Sequence, residues 1–185
     1  MRVFGIDPGS VRTGYGCVEA VGNRHRMITC GAIAAPARAA FPERLLIIHR
    51  ELASLLAAAR PDCVAVENLF HATNVRSALQ LGHARGVALL AAMEAGVPVV
   101  EYTPAEVKRA VVGYGRAEKI QVQRMMKLLL GLETLPTPHD AADALAIAVC
   151  HLHHAAGVVA QASRAALRDG RGAPRSWRQY RPPQA

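Results

Sequence analysis

Four acidic residues lie where the sequence pattern would bring carboxylates together. Asp7 and Glu67 each end an apolar run that suits a buried strand, and Asp140 and Asp143 lie three residues apart on one side of a predicted helix. Two carboxylates held together raise each other's pKa unless a cation lies between them. Mg²⁺ and Mn²⁺ prefer oxygen ligands. The four acids are therefore predicted to form a site for divalent metal ions.

Two of these acids also have an ordinary structural explanation. Asp7 precedes a Pro-Gly turn, where its side chain can cap local backbone N–H groups. Residues 137–140 read as an N-cap threonine, an N1 proline, a histidine and an N3 acid, so Asp140 can belong to a capping box. Asp143 has no such explanation, because it lies on the apolar stripe of the same helix with Ala146, Ile147 and Cys150.

Other polar residues are weaker candidates for the same site. Glu101 ends a short apolar strand as Glu67 does, and it either joins the site or lies beyond the sheet edge. His139 is either a ligand or general base, or an exposed residue of a first helical turn. His151, His153 and His154 resemble a soft-metal site only weakly. Favourable charge at a helix C-terminus explains these three more simply.

The elements that must position the acids indicate an α/β fold. Strands are predicted over residues 2–7, 13–20, 26–34, 63–67 and 97–101, and helices over 41–60, 75–94, 104–112, 118–130 and 138–155. Three antiparallel strands followed by helix–strand alternation predict a five-stranded mixed sheet flanked by helices. If the strands that end on Asp7 and Glu67 are parallel neighbours, the two acids meet at the ligand-binding edge of the sheet.

The composition favours a polyanionic partner. A formal charge of +8 with a pI near 9.9 points first to nucleic acid and second to an acidic membrane surface. The four cysteines lie far apart without a C-x-x-C pair, so we expect reduced thiols, three of them buried, in a cytoplasmic protein. No apolar run approaches the ~20 residues that span a bilayer.

The chain divides into a predicted domain over residues 1–158 and a basic tail over 159–185. The tail carries six arginines against one aspartate and is rich in Pro, Gly, Gln and Ala, which predicts disorder. Such a tail either grips phosphates without sequence specificity or acts as a solubilising appendage.

Five motifs in order carry a resemblance to a known family. They are GIDPGSVRTGYG at 5–16, VENLF at 66–70, SALQLGHARG at 77–86, VVGYGRAEKIQV at 111–122 and HDAADALAIA at 139–148. Together they resemble the RuvC family of bacterial Holliday-junction resolvases over residues 1 to about 155. The resemblance implies a ribonuclease-H-like fold, a homodimer, DNA hydrolysis with two Mg²⁺ or Mn²⁺ ions, and a branch-migration complex of RuvA and RuvB as partner.

The resemblance also implies roles for individual residues. The catalytic acids and metal ligands would be Asp7, Glu67, Asp140 and Asp143, although some relatives have a histidine at the position of Asp140. Phe70 would stack on an unpaired base near the crossover, with a core anchor as the alternative. Lys108 and Lys119 would grip the scissile phosphate or stabilise transition-state charge, and Lys119 also opens a predicted helix. Backbone phosphate contacts are expected from Arg76, Arg85 and Arg116.

The helix predicted over residues 75–94 is a candidate dimer interface. One side of it carries Val75, Leu79, Gly82, Gly86 and Met93, and the two glycines would let another backbone approach closely. We therefore expect this side to contribute to a two-fold interface, with ordinary packing against the sheet as the alternative.

These features predict a structure-specific endonuclease of recombination and repair. It would nick a four-way DNA junction symmetrically and leave 5′-phosphate and 3′-hydroxyl ends. The alternatives are a ribonuclease-H-like nuclease for RNA or RNA:DNA hybrids, a junction-binding protein without catalysis, and an actin-like phosphotransferase. The last is disfavoured because 185 residues cannot supply two lobes and the chain has no second Gly-rich phosphate loop.

Overall fold

A five-stranded mixed sheet forms the centre of the structure, a computed structural model that describes residues 1–22, 24–68 and 74–168, with side chains up to residue 158. The strands are β1 (Arg2–Asp7), β2 (Arg12–Val21), β3 (Arg24–Ala34), β4 (Cys63–Glu67) and β5 (Val99–Tyr102). The helices are α1 (Phe41–Ala59), α2 (Val75–Glu94), α3 (Pro104–Val112), α4 (Lys119–Leu130) and α5 (His139–Arg168).

The strand order is β3-β2-β1-β4-β5, which confirms the predicted mixed sheet. β1, β2 and β3 form an antiparallel meander, whereas β4 runs parallel to β1 and β5 runs parallel to β4. The two parallel connections carry α1 and α2, because strands that run in the same direction need a crossover.

Helices cover both faces of the sheet. On one face Phe4, Ile6, Val64 and Val66 pack with residues of α1 and α2, and on the other face Val3 and Ala65 pack with α3, α4 and α5. Side chains alternate between the two faces along a strand. Both faces of β1 and β4 are therefore buried, as expected for apolar strands without a polar alternation.

Capping residues begin α2 and α3 where the sequence predicts them. Asn74 accepts a hydrogen bond from the backbone N–H of Ser77 at 2.8 Å at the start of α2. Thr103 and Glu106 form a capping box at the start of α3, with Pro104 in the first turn. α1 ends at Ala59 and is followed by Arg60, which adopts the left-handed conformation immediately before Pro61.

The beginning of α5 differs from the predicted cap by one residue. The carbonyl of Pro138 accepts hydrogen bonds from the N–H groups of Ala141 and Ala142, so Pro138 rather than Thr137 precedes the helix. Asp140 is therefore the second helical residue, not the third as predicted. It still lies in the first turn, where the helix dipole favours a negative charge.

The end of α5 also differs from the prediction. The helix continues to Arg168 instead of ending near residue 155, so residues 159–168 of the predicted tail are helical rather than disordered. This segment contains four alanines, two arginines and one leucine, which are strong helix formers, and no glycine or proline interrupts it. The disorder expected of residues 169–185 lies outside the described residues.

Residues His139–Val158 of α5 are long and apolar enough to cross a membrane by length and composition, contrary to the expectation that no run approaches this length. Most of this segment is nevertheless buried: Ala141, Ala142 and residues 144–152 lie within the core against the sheet and the helices α3 and α4. The core helix of a globular fold has the same composition, and this packing accounts for the apolar character.

All four cysteines lie in the described residues and are free thiols. Cys17, Cys63 and Cys150 are buried and Cys30 is half-buried, in agreement with the prediction of three buried thiols.

Candidate active site

Adjacent parallel strands bring Asp7 and Glu67 together. Gly5 pairs with Ala65 and Ile6 pairs with Val66, so the residues that follow, Asp7 and Glu67, end neighbouring strands at the same level. Adjacent strands lie about 4.8 Å apart. Both acids belong to the face of the sheet on which α5 packs, because they alternate with residues that face α1 and α2. The predicted meeting of these two acids is confirmed.

Glycines in the sheet bring the acids of α5 to the same place. A Cβ atom on Gly5 would collide with the carbonyl oxygen of Ala144, and one on Gly14 would collide with the carbonyl oxygen of Asp140. At Gly16 it would lie 2.8 Å from Leu145 Cδ2. The backbone of α5 therefore lies directly on β1 and β2. Because Gly14 is the partner of Asp7 across the β1–β2 ladder, the first turn of α5 begins beside Asp7.

The carboxyl group of Asp7 shows how tightly the acids are grouped. Burial, together with repulsion from Glu67, Asp143 and Asp140, raises the pKa of Asp7 to about 8, while the charge of Lys119 opposes the rise. All four predicted acids therefore interact electrostatically at this carboxyl group. We call Asp7, Glu67, Asp140 and Asp143 the acid cluster.

Two further members of the acid cluster have raised pKa values. Burial and the negative charge of Asp143 raise the pKa of Glu67 to about 7, against the lowering effect of Lys119 and Lys108. Burial also raises the pKa of Asp143, and the nearby Lys119 ammonium opposes this rise. Perturbed carboxyl groups at a strand edge are typical of functional sites.

Two cations contact the acid cluster. Lys119, the first residue of α4, places its Nζ 3.5 Å from Asp143 Oδ2. Arg12, the first residue of β2, places its Nη1 3.6 Å from Asp140 Oδ2. The sequence reasoning anticipated Lys119 but missed Arg12. The available signal was a basic residue in the Gly-rich turn that follows Asp7.

The chemistry of these side chains fits divalent metal ions. Four carboxylates supply oxygen ligands, and a divalent cation would remove the repulsion that raises the pKa of Asp7. Among the described residues no three His, Cys, Asp or Glu side chains are already arranged to hold a metal ion.

Glu101 does not join the acid cluster. Tyr102 is the partner of Glu67 in the β4–β5 ladder, and Glu101 lies one residue before Tyr102. Because side chains alternate along a strand, Glu101 lies on the face of the sheet opposite to that of Glu67. There it forms an ion pair with Arg85 of α2. Of the predicted DNA contacts, Arg85 is therefore engaged within the protein, whereas Arg76 and Arg116 are exposed.

The remaining predicted site residues lie in different surroundings. Lys108 is half-buried on α3, close enough to Glu67 to lower its pKa. His139 is exposed in the first turn of α5, and its charge lowers the pKa of Asp143. Phe70 lies outside the described residues, so its predicted stacking role stays a prediction.

The histidines near the middle of α5 take part in packing. His151 Nδ1 lies 2.8 Å from the Tyr102 hydroxyl oxygen, and His153 Nδ1 lies 3.0 Å from the Ala110 carbonyl oxygen. His154 Nδ1 lies 2.9 Å from the carbonyl oxygen of Cys150, one turn earlier. They form no soft-metal site within the part of the chain that the structure describes.

A sheet of this order, with carboxylates gathered at the end of its central strand, places the chain among the ribonuclease-H-like nucleases. The model of the family described as crossover junction endodeoxyribonuclease RuvC matches residues 3–151. The chain belongs to this family of DNA-hydrolysing enzymes, as the resemblance of its motifs implied.

Individual relatives agree with this assignment. The crossover junction endodeoxyribonuclease RuvC of Syntrophomonas wolfei is 53% identical over 153 residues, which cover 83% of this chain and 89% of that protein. The structure of Thermus thermophilus RuvC is 39% identical with a TM-score of 0.79, over 85% of this chain and 96% of that one. T. thermophilus RuvC in complex with its Holliday junction substrate has a TM-score of 0.78 at 37% identity, with the same coverage.

Proposed function

We propose that this protein resolves four-way DNA junctions by paired nicks in opposing strands, through divalent-metal-dependent hydrolysis. The observation that carries the proposal is the acid cluster, with a pKa of about 8 at Asp7 and about 7 at Glu67, in a chain of the RuvC family. The similarity to a RuvC protein in complex with a Holliday junction supports the choice of substrate.

The acid cluster would hold two ions, Mg²⁺ or Mn²⁺, with Asp7, Glu67, Asp140 and Asp143 as the ligands. When bound, such ions lower the pKa of a water nucleophile and stabilise the charge on the leaving oxygen. The carboxylates of the protein orient the ions, and they must be deprotonated to do so. Hydrolysis of the bond between the phosphorus and the 3′ oxygen would leave 5′-phosphate and 3′-hydroxyl ends, which a ligase can seal.

Lysines beside the acid cluster would bind the scissile phosphate. Lys119 is exposed over 72% of its side chain and opens α4, so both its ammonium group and the helix N-terminus present positive charge. Lys108 adds a second positive charge close to Glu67. Preorganised positive charge of this kind stabilises the negative charge that grows in the transition state. Phe70, Arg76 and Arg116 would contact the DNA around the crossover.

A homodimer would match the two-fold symmetry of the junction. The stripe of α2 that the sequence singled out does not pack against the sheet of its own chain. Val75 is 76% exposed, Leu79 59% and Met93 65%, and Gly82 and Gly86 have no atom within 4 Å of an added Cβ. The helix instead packs on its own chain through Ala84, Ala88, Ala91 and Ala92. An exposed apolar stripe with two glycines suits close contact with a second α2.

The cellular setting follows from the proposed substrate. Junction resolution belongs to recombination and DNA repair in the cytoplasm, with a branch-migration complex of RuvA and RuvB as partner. The net charge of +8 suits a DNA partner, and four free thiols suit a reducing compartment.

The test is cleavage of a labelled mobile four-way junction against matched duplex, single strand and RNA:DNA hybrid. Each substrate is incubated with Mg²⁺, Mn²⁺ or EDTA, beside the Asp7→Asn variant. We expect paired, ligatable nicks confined to the junction, absent in EDTA and absent for Asp7→Asn. Cutting of the hybrid would move the assignment to a ribonuclease, and tight junction binding without cutting would mean that the acid cluster is not catalytic.

A further inference from the structure

We propose that Arg12 is a DNA-phosphate contact of the active site, which pairs with Asp140 until the acid cluster takes up divalent ions. The inference rests on the proposed function, because it concerns how the same site holds its substrate. It gives a role to Arg12, which lies within the motif at 5–16 but had none in the sequence analysis.

The pairing of Arg12 with Asp140 is loose. The Nη1–Oδ2 distance of 3.6 Å exceeds that of a charge-assisted hydrogen bond, and 55% of the Arg12 side chain is exposed. Exposed ion pairs contribute little to stability. The guanidinium can therefore change partners without disturbing the fold.

The backbone that carries Arg12 is, in contrast, firmly held. The buried Thr13 donates a hydrogen bond from Oγ1 to the carbonyl oxygen of Gly9 at 2.8 Å and accepts one from the N–H of Gly9 at 3.3 Å. Arg44 of α1 donates from Nη1 to the carbonyl oxygen of Ser10 at 3.1 Å. A Cβ atom on Gly9 would collide with the carbonyl oxygen of Arg12, so the turn is also tight. A firmly held turn thus presents a loosely paired side chain beside the acid cluster.

Other arginines show what a structural role looks like in this chain. Arg2 donates from Nη1 to the carbonyl oxygen of Ala59 at 2.6 Å and from Nη2 to Glu19 Oε1 at 3.0 Å, and so ties β1 to the end of α1. Arg26 shares the same glutamate at 2.7 Å. Arg12 has no comparable short contact among the described residues, which leaves its donors available to a ligand.

The chemistry of the site supplies a reason for the change of partner. When the carboxylate of Asp140 coordinates a divalent cation, that cation repels the guanidinium and competes for the same oxygen atoms. A phosphate that arrives at the acid cluster is then the nearest available anion, and the planar donor fork of arginine matches two of its oxygens. Without divalent ions the uncompensated carboxylates repel the phosphate, and Arg12 stays at Asp140.

The experiment is the salt dependence of junction binding. Equilibrium binding of the full-length protein to a four-way junction is measured at several salt concentrations in Ca²⁺, with cleavage monitored in the same samples, and again in EDTA. The variants are Arg12→Gln, which removes the charge, and Arg12→Lys, which keeps it. Arg24→Gln is the matched control, because Arg24 is an exposed arginine at the far end of the β2–β3 hairpin.

The logarithm of the binding constant falls as the logarithm of the salt concentration rises, and each lost phosphate contact makes this fall shallower by about 0.9. Between about 50 and 200 mM salt in Ca²⁺, the affinity of both proteins for the junction falls. We expect the fold-loss of affinity for Arg12→Gln to be about 3.5 times smaller than that for wild type. Arg12→Lys and Arg24→Gln should keep the wild-type slope. In EDTA the slopes of wild type and Arg12→Gln should agree.

If Arg12→Gln kept the wild-type slope in Ca²⁺, or if Arg24→Gln reduced the slope as much as Arg12→Gln did, the inference would be overturned while the proposed function stood. If Arg12→Gln reduced the slope equally in Ca²⁺ and in EDTA, the metal-dependent change of partner would be overturned. A wild-type protein that binds the junction no better than duplex would overturn the proposed function, and the inference with it.

Discussion

Asp7 holds its proton to about pH 8 because the folded chain buries its carboxyl group beside three other acids. An unfolded chain would release the same proton near pH 4. The folded state therefore binds more protons than the unfolded state between these values, and its stability falls as the pH rises through this window. Below about pH 4 both states are protonated and the effect disappears.

Asp7→Asn should therefore stabilise the metal-free protein. At pH 8 in EDTA we expect the free energy of unfolding to rise by about 1–2 kcal/mol, and the gain should shrink toward pH 4. Urea unfolding at pH 4, 6 and 8 measures it. Glu133→Gln, at an exposed acid in the loop after α4, is the control and should change stability little at any pH. A variant no more stable than wild type at pH 8 would contradict the raised pKa of Asp7.

Metal binding should depend on pH in the opposite sense. Asp7 and Glu67, with pKa values of about 8 and about 7, must lose their protons before they coordinate a cation. We expect the affinity for Mn²⁺, measured by calorimetry, to rise between pH 6 and 8.5 and to be accompanied by proton release. An affinity that is constant over this range would mean that neither carboxyl group is a ligand.

Single residues could be identified from the sequence where their position contradicted their surroundings. Asp7, Glu67 and Asp143 are charged residues at positions that the apolar pattern assigns to the interior, and this conflict predicted them. Arg12 escaped notice because an arginine in a turn conflicts with nothing, and only the approach of α5 gives it a partner. Glu101 was ambiguous because the register between β4 and β5 decides its face: it is the partner of Val66, and the strand continues to Tyr102, the partner of Glu67.

At the scale of elements, the contact between α5 and the sheet positions the acid cluster. β1 and β2 supply glycines where the helix backbone touches them, and the helix supplies Asp140 and Asp143 in its first two turns. The sequence predicted the strands and helices themselves from apolar periodicity and caps. It could not predict this contact, because the close approach of two backbones depends on which glycines face which helix.

Gly5→Ala should separate α5 from the sheet. The new Cβ would collide with the backbone of Ala144, which cannot rotate away, so we expect a loss of about 3 kcal/mol or more in the free energy of unfolding. Gly157→Ala is the matched control, because Gly157 lies in α5 and a Cβ added there would have no atom within 4 Å. It should instead gain up to about 1 kcal/mol from helix propensity. Equal effects of the two substitutions in denaturant unfolding would contradict the role of the contact.

At the scale of the whole molecule, one surface of α2 remains uncovered by its own chain. Leu90 is 51% exposed and continues the stripe between Gly86 and Met93, so the exposed apolar side runs along the whole helix. The sequence predicted the members of this stripe from their helical spacing. The spacing does not say whether such a stripe faces the core or solvent. In α2 the opposite side of the helix, which carries the buried alanines, packs on the chain's own core and leaves the stripe exposed.

Gly82→Leu should convert the proposed dimer to monomers. Its side chain would stand between two helices that approach closely at the glycines, whereas nothing in a single chain obstructs it. Light scattering over a range of protein concentrations measures the mass. Gly157→Leu, a substitution at another open helical glycine, should leave the mass unchanged. A Gly82→Leu variant that keeps the wild-type mass would rule out this face as the interface.

The close contact of α5 with the sheet also has a genetic consequence. Every missense change of a glycine codon adds a Cβ atom, so no amino-acid replacement at Gly5 or Gly14 avoids the collision with the helix backbone. A screen for alleles that fail to resolve junctions should therefore recover these two positions as often as the acids themselves. Such alleles would abolish junction resolution with every carboxylate of the acid cluster intact.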